Sequence, residues 1–244
     1  MKPLLAMAAL ALHAVLPLPT GTDVDYQLGG DRPVPAHVGI VERDRLSPPL
    51  PGKYDICYIN GFQTQVDEVS FWRAHPHLVL HRDGHPVVDA GWGEWLLDTR
   101  TADRRARIAT IEGRWIDRCA RDGFDAVEFD NLDSFSRSDG LIRPAANRAL
   151  AKMLVARAHA AGLAAGQKNW SEWDGRRVGY DFAVAEECGR YHECGAYVAH
   201  YGARVLVIEY RAIDFRATCA AWGARLAVVL RDRDLSPSGV RRWC

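Results

Sequence analysis

The sequence has little lysine, little methionine and no net charge. Lys2, Lys53, Lys152 and Lys168 are the only lysines among 31 basic residues, and 31 acidic residues balance them. A chain without a basic excess lacks the electrostatic footprint of a nucleic-acid binder, so no nucleic acid is expected as a partner. There is no C-x-x-C pair, and no histidine pair at helical ligand spacing lies near the cysteines. No metal and no cofactor is therefore expected. No G-x-G-x-x-G turn follows the first strand pattern, which counts against a dinucleotide-binding sheet. No apolar run reaches the roughly 20 residues of a membrane span. Neither a glycine period nor a long heptad run is present, which excludes a fibre. Eight Trp, eight Tyr and seven Phe are too many for a disordered chain.

What is there begins with Lys2 and an apolar run from Leu4 to Leu16, broken by Pro17-Leu18-Pro19. This is the pattern of a secretory signal peptide. Residues 1–19 are expected as signal peptide, 20–36 as a Gly-, Pro- and Asp-rich leader, and 37–244 as one catalytic domain. The protein is expected outside the cell, as a monomer with no stable membrane insertion. Six cysteines follow the run: Cys57, Cys119, Cys188, Cys194, Cys219 and Cys244. An even number behind a signal peptide points to disulfides. Cys188 and Cys194 are near enough to close a small loop, and pairing Cys244 would pin the C-terminus.

Short apolar runs then alternate with longer amphipathic stretches. The runs are His37–Val41, Tyr54–Ile59, Trp95–Asp98, Ala126–Asp130, Ala164–Lys168, Phe182–Glu186, Arg204–Tyr210 and Arg225–Leu230. Helical patterns cover Thr101–Asp122, Pro144–Ala161 and Asp214–Trp222. Such alternation builds parallel βαβ units, and eight of them in one domain imply an α/β fold, a (β/α)8 TIM-like barrel. Polar residues gather at the C-terminal ends of the strands, where barrel enzymes assemble their sites. They include Asn60, Asp98, Asp130, Lys168, Glu186 and Glu209.

Two acids facing one cleft can divide acid and base work, as glycoside hydrolysis requires. Asp130 and Glu186 are the candidate pair. Glu128, two residues before Asp130, shares its face one layer deeper. Lys168 could hold a carboxylate ionised. Trp72, Trp92, Trp95, Trp170 and Trp173 lie at or near strand-to-helix loops, where indole faces can stack on sugar rings. Trp170 and Trp173, directly after Lys168-Asn169, are the best placed.

At these residues the sequence resembles a known family. Val127-Glu128-Phe129-Asp130-Asn131-Leu132-Asp133 is similar to the V-E-P-D-N-V-D segment of glycoside hydrolase family 114, the secreted endo-α-1,4-polygalactosaminidases. Ile56-Cys57-Tyr58, Trp95–Arg100, Gly166-Gln167-Lys168-Asn169, Ala185-Glu186-Glu187-Cys188 and Val207-Ile208-Glu209-Tyr210 resemble further family segments in the same order. Phe129, Ala185 and Glu187 stand where the family has Pro, Asn and Gln. The resemblance implies a TIM-like barrel and endo-cleavage of α-1,4-linked galactosamine or N-acetylgalactosamine polymers; a retaining outcome is expected, and the spacing of the two carboxyl groups distinguishes it from inversion. It implies Asp130 and Glu186 as the catalytic pair. Tyr58, Asp98, Asn131, Asp133, Lys168, Trp170 and Glu209 are then expected to bind the polysaccharide. Two other classes compete. One is a barrel that grips aminosugar polymer without cleaving it. The other is a metal-assisted deacetylase or hydrolase using Asp130, Asp133 and the loop histidines His75, His77, His81 and His85.

Overall fold

The computed structural model describes residues 15–244. Eight parallel strands form one sheet in chain order: β1 (Asp23–Gln27), β2 (Val38–Asp44), β3 (Tyr54–Ile59), β4 (Ala126–Phe129), β5 (Ala164–Lys168), β6 (Phe182–Glu186), β7 (Val205–Glu209) and β8 (Ala227–Arg231). β8 comes round against β1, so the sheet is a nearly closed barrel. A short ninth strand, β9 (Arg241–Trp243), runs antiparallel on β8. Its Trp243 Nε1 donates to the Val24 carbonyl at 2.8 Å, which fastens the C-terminal end to β1.

Five helices lie outside the barrel: α1 (Val69–Arg73), α2 (Ala102–Asp122), α3 (Pro144–Ala160), α4 (Cys194–Tyr201) and α5 (Ala212–Trp222). The ends of α2 follow the rules for caps. The Thr101 side chain accepts from the Arg104 N–H, and Gly123 closes the helix at φ 98°. Pro144 opens α3, where its missing N–H has no helical partner to lose. The β1–β2 and β2–β3 connections carry no helix, and β5–β6 carries only a 3-10 turn, Gly175–Val178. Three of the seven connections between barrel strands thus lack an α-helix, two side by side over β1–β3 and the third across the ring between β5 and β6. Three disulfides join Cys57 to Cys119, Cys188 to Cys194 and Cys219 to Cys244. They tie β3 to α2, close the loop before α4 and fasten the C-terminus to α5.

Two of the expected strand positions need correction. Asp23–Gln27, expected as leader, is the first barrel strand and pairs with β2. Trp95–Asp98, expected as a strand, lies outside the barrel. Its Trp95 pairs in a small hairpin, Val88–Asp89 against Glu94–Trp95, and Leu96 and Leu97 form single bridges to Gln63 and Val79. The run is apolar because Leu96 fills a satellite cluster with Leu80 and Ile142. The apolar run from Leu4 lies outside the described residues up to residue 14. Beyond it, Leu18 is buried in the interior cluster, and the Tyr54 hydroxyl donates to the Leu16 carbonyl at 2.9 Å.

Side chains along each strand alternate between two cores. Val24, Ile40, Ile56, Ala126, Ala164, Phe182, Val184, Leu206, Ile208 and Val229 fill the barrel interior. Cys57, Ile59, Val127, Phe129, Ala165, Ala183, Ala185, Val205 and Val207 face the helices.

Candidate active site

Strand alternation fixes which polar residues enter the barrel. Stepping by two from Ala126 gives Glu128 and then Asp130. Stepping from Ala164 gives Gly166 and Lys168, and from Val184 it gives Glu186. From Ile208 the next inward residue is Tyr210, so Glu209 must face outward. Gly166 leaves room for a ring from the neighbouring strand: a Cβ there would lie 2.5 Å from Phe182.

Above the apolar layer the interior becomes a buried polar network. Lys168 is 1% exposed and sits at its centre. Its Nζ donates to the Tyr26 hydroxyl at 2.8 Å and to Glu128 Oε1 at 2.9 Å. It also lies 3.3 Å from Asp130 Oδ1 and 3.5 Å from Glu186 Oε2. Burial alone would lower the Lys168 pKa, but the surrounding carboxylates hold it well above the ordinary lysine value. Glu42, also fully buried, lies deeper; burial and the neighbouring Glu128 push it well above the usual carboxylate range.

The two candidate acids are held differently. Asp130 accepts from the Tyr58 hydroxyl at 2.7 Å and from the Asn131 backbone N–H at 2.6 Å. Burial works to raise its pKa, but Lys168 and these two donors outweigh it and hold Asp130 below the ordinary aspartate value. Glu186 accepts from the Tyr210 hydroxyl and, at 3.4 Å, from Asn169 Nδ2. Its backbone N–H is fixed by Asn169 Oδ1 at 2.9 Å. Burial and the nearby carboxylates keep the Tyr26, Tyr58 and Tyr210 hydroxyls protonated, so each is available as a donor.

Both acids open into a cleft of about 440 Å³ at the C-terminal mouth of the barrel. A second section of about 550 Å³ continues from it and shares Asp133, Asn169, Glu186 and Tyr210. Tyr58, Asn131, Asp133 and Lys168 line the first section, and Trp170 lines the second. Trp170 lies against Phe135 and Trp173, with ring centroids 4.6 and 4.8 Å away. Trp173 is mostly buried behind it and serves the core.

Two expected binding residues are elsewhere. Asp98 is buried beside Arg100 and Arg104, at 2.7 and 3.0 Å, away from the cleft. Glu209 accepts from the Gly189 N–H at 2.7 Å and the Thr218 hydroxyl at 3.2 Å, where it braces the loop after β6. The loop histidines do not gather as ligands: His75 and His81 each engage a nearby backbone carbonyl. Among the described residues, one cluster has the spacing of a cation site, Cys188, Cys194 and Glu209, and both its sulfurs are in a disulfide.

The structure also adds residues that the sequence patterns did not single out. Tyr26 comes from the missed first strand. Tyr210 follows from strand alternation, a signal the sequence does contain. Glu94 comes from the small hairpin; its Oε2 accepts from Asn60 Nδ2 at 3.0 Å and Asn131 Nδ2 at 3.2 Å. Burial pushes its pKa up to about 7, with the Asn60 amide opposing and Asp130 and Asp89 adding to the rise.

A model of glycoside-hydrolase family GH114 matches residues 6–244. Comparison with curated protein sequences gives no match. Among solved structures the chain is similar to Aspergillus fumigatus Ega3 in complex with galactosamine, with a TM-score of 0.74 and 22% identity over 98% of this chain and 99% of that one. It is also similar to the glycoside hydrolase domain of PelA from Pseudomonas aeruginosa, with a TM-score of 0.63 and 15% identity over 89% and 97% of the two chains. At these identities the structural likeness bears on the fold.

Proposed function

The chain belongs to glycoside-hydrolase family GH114, which makes it a glycoside hydrolase, and we propose that it cleaves aminosugar polymers internally at α-1,4-galactosamine linkages. The observation that carries this reading is the single Lys168 ammonium shared by Asp130 and Glu186 at the floor of a cleft. The two facing oxygens can be no further apart than contacts of 3.3 and 3.5 Å laid end to end. That span is compatible with the roughly 5–5.5 Å of a retaining pair and supports the retaining reading.

Asp130 is the nucleophile. Its lowered pKa keeps it ionised, and Tyr58 and Asn131 aim it. It attacks the anomeric carbon and forms a glycosyl ester as the bond to the leaving sugar breaks. Glu186 gives its proton to the departing oxygen. It then takes a proton from the water that hydrolyses the ester, returning both acids to their starting states. The polymer's ammonium groups suit a cleft that also presents Asp133, Glu172, Glu187 and Glu193. That Ega3 was solved with galactosamine supports the same substrate class here. Secretion is part of the reading and is supported by the three disulfides.

The test is product analysis by mass spectrometry. The protein is incubated with α-1,4-galactosamine polymer, partly acetylated or fully deacetylated, beside Asp130→Asn and Glu186→Gln. Wild type is expected to release oligomers, and each variant to lose at least about 10³-fold in rate with its fold intact. Oligomers from Asp130→Asn at the wild-type rate would remove Asp130 from the mechanism. Polymer bound but never cut by wild type would favour the non-catalytic barrel.

A further inference from the structure

Three loops meet above the catalytic carboxylates. Trp92 comes from the β3–β4 connection, Glu187 directly follows β6, and Arg233 lies just past β8. In the ring of eight strands these are separated points on the rim, so contacts among them have to cross the barrel mouth. They do make contact. The Arg233 guanidinium carbon lies 5.1 Å from the centre of the Trp92 ring, and its Nη1 lies 3.9 Å from Glu187 Oε2.

The partners are fixed and the arginine is not. Glu187 is largely buried, its backbone N–H is bound to the Ile208 carbonyl at 2.8 Å, and Arg190 occupies its other oxygen at 2.7 Å. The Trp92 loop is pinned by Asp89, which accepts from the Gly91 and Gly93 N–H groups at 2.8 Å. The Arg233 side chain is 58% exposed. Trp92 and Arg233 line both sections of the cleft, and so do Glu186 and Tyr210 beneath them. The arginine therefore stands at the junction of the two sections, on the solvent side of Glu186.

An aromatic face beside a carboxylate is what a cationic sugar ring would seek: the ring stacks and the ammonium pairs. Here an internal cation already holds both. We propose that Arg233 is a displaceable latch that occupies an aminosugar position between Trp92 and Glu187, so that free-amine units displace it more readily than acetylated ones. The proposal rests on the aminosugar-polymer reading. A galactosamine ammonium can replace the guanidinium at Glu187, whereas an N-acetyl group cannot. Every unit that enters this position meets the same cost of displacing the latch, and pairing with Glu187 is what lets the free amine meet it more readily.

The test compares wild type and Arg233→Ala on fully deacetylated and on acetylated galactosamine polymer. Removing the latch is expected to lower KM roughly three- to tenfold for both polymers, the uncharged acetylated one included, on the scale of one exposed cation–π contact and one loose ion pair. An unchanged KM for the acetylated polymer overturns the proposal. Hydrogen exchange of the free protein is the second readout. Residues 89–93 and 232–236 should exchange faster in Arg233→Ala, and identical exchange would show that no latch exists. Wild type that cuts neither polymer defeats the functional reading, while exchange still decides whether the mouth is latched.

Discussion

Three carboxylates converge on the Lys168 ammonium, and water reaches almost none of that side chain. Removing the cation would leave Glu128 as a buried charge without a counter-ion and take the counter-ion from the partly buried Asp130. Losing one partner of a buried pair costs about 3–5 kcal/mol, far more than a surface pair contributes. Lys168→Met, which keeps the volume and drops the charge, is therefore expected to lose about 3–5 kcal/mol in urea unfolding at pH 7. The pH dependence has a definite sign. Asp130 titrates below its ordinary value of 3.8 in the folded protein, so its share of stability is present above that pH and fades in acid. The gap between wild type and Lys168→Met should narrow progressively as pH falls below about 4, as the acids become protonated in both. A gap of less than about 1 kcal/mol at pH 7 would mean that the carboxylates find other partners or share protons among themselves. The role of Lys168 as the hub was legible in the sequence, since it is the lone lysine of the barrel strands. Glu209 is the contrary case. It ends a strand like the others, but alternation from Leu206 and Ile208 turns it outward and brings Tyr210 into the cleft.

At the scale of elements, long or strongly patterned segments announced themselves. β3, β5 and β6 lie where their apolar runs put them, and α2 runs from the Thr101 cap to Gly123. Two elements were hidden for physical reasons. β1 is Asp-Val-Asp-Tyr-Gln, whose polar members Asp25 and Gln27 are buried by partners distant in sequence: Arg241 for Asp25 and Arg43 for Gln27. The hairpin Val88–Asp89/Glu94–Trp95 has strands of two residues each, too short for any period. Yet that hairpin brings Glu94 into the cleft. Because burial raises the Glu94 pKa from 4.5 to about 7, folding favours its protonated form. Its contribution is most favourable below pH 4.5 and is eroded as pH rises through 7. Glu94→Gln keeps the side-chain carbonyl for Asn60 and Asn131 but cannot ionise. The variant should match wild type in melting temperature near pH 4.5 and exceed it at pH 8, as read by differential scanning fluorimetry. A variant less stable than wild type at pH 8 would mean that the ionised carboxylate is favoured in the folded cleft.

The whole molecule is a barrel with chemistry at one end and a seal at the other. At the sealed end, Leu18 is 3% exposed and packs into the interior cluster with Val24 and Ile40. Val15 lies against the same cluster, and Tyr54 holds the Leu16 carbonyl at 2.9 Å. A domain taken to begin at residue 37 would lack β1 as well. One beginning at residue 20 keeps all the strands but opens the end of the barrel. Burying a leucine stabilises by about 1.5–3 kcal/mol, and for a chain of this size each kcal/mol shifts the melting temperature by about 2–4 °C. Residues 15–244 should therefore melt roughly 3–12 °C higher than residues 20–244. Leu18→Ala in the longer chain should recover most of that difference, because it removes the side chain and leaves the backbone contact at Leu16. Catalytic rates of the two chains should agree wherever both are folded, since the cleft lies at the other end of the strands. Equal melting temperatures would mean that the segment from Val15 to Leu18 covers the barrel without supporting it. A drop in rate without a drop in melting temperature would mean that the two ends of the barrel are coupled through its polar core.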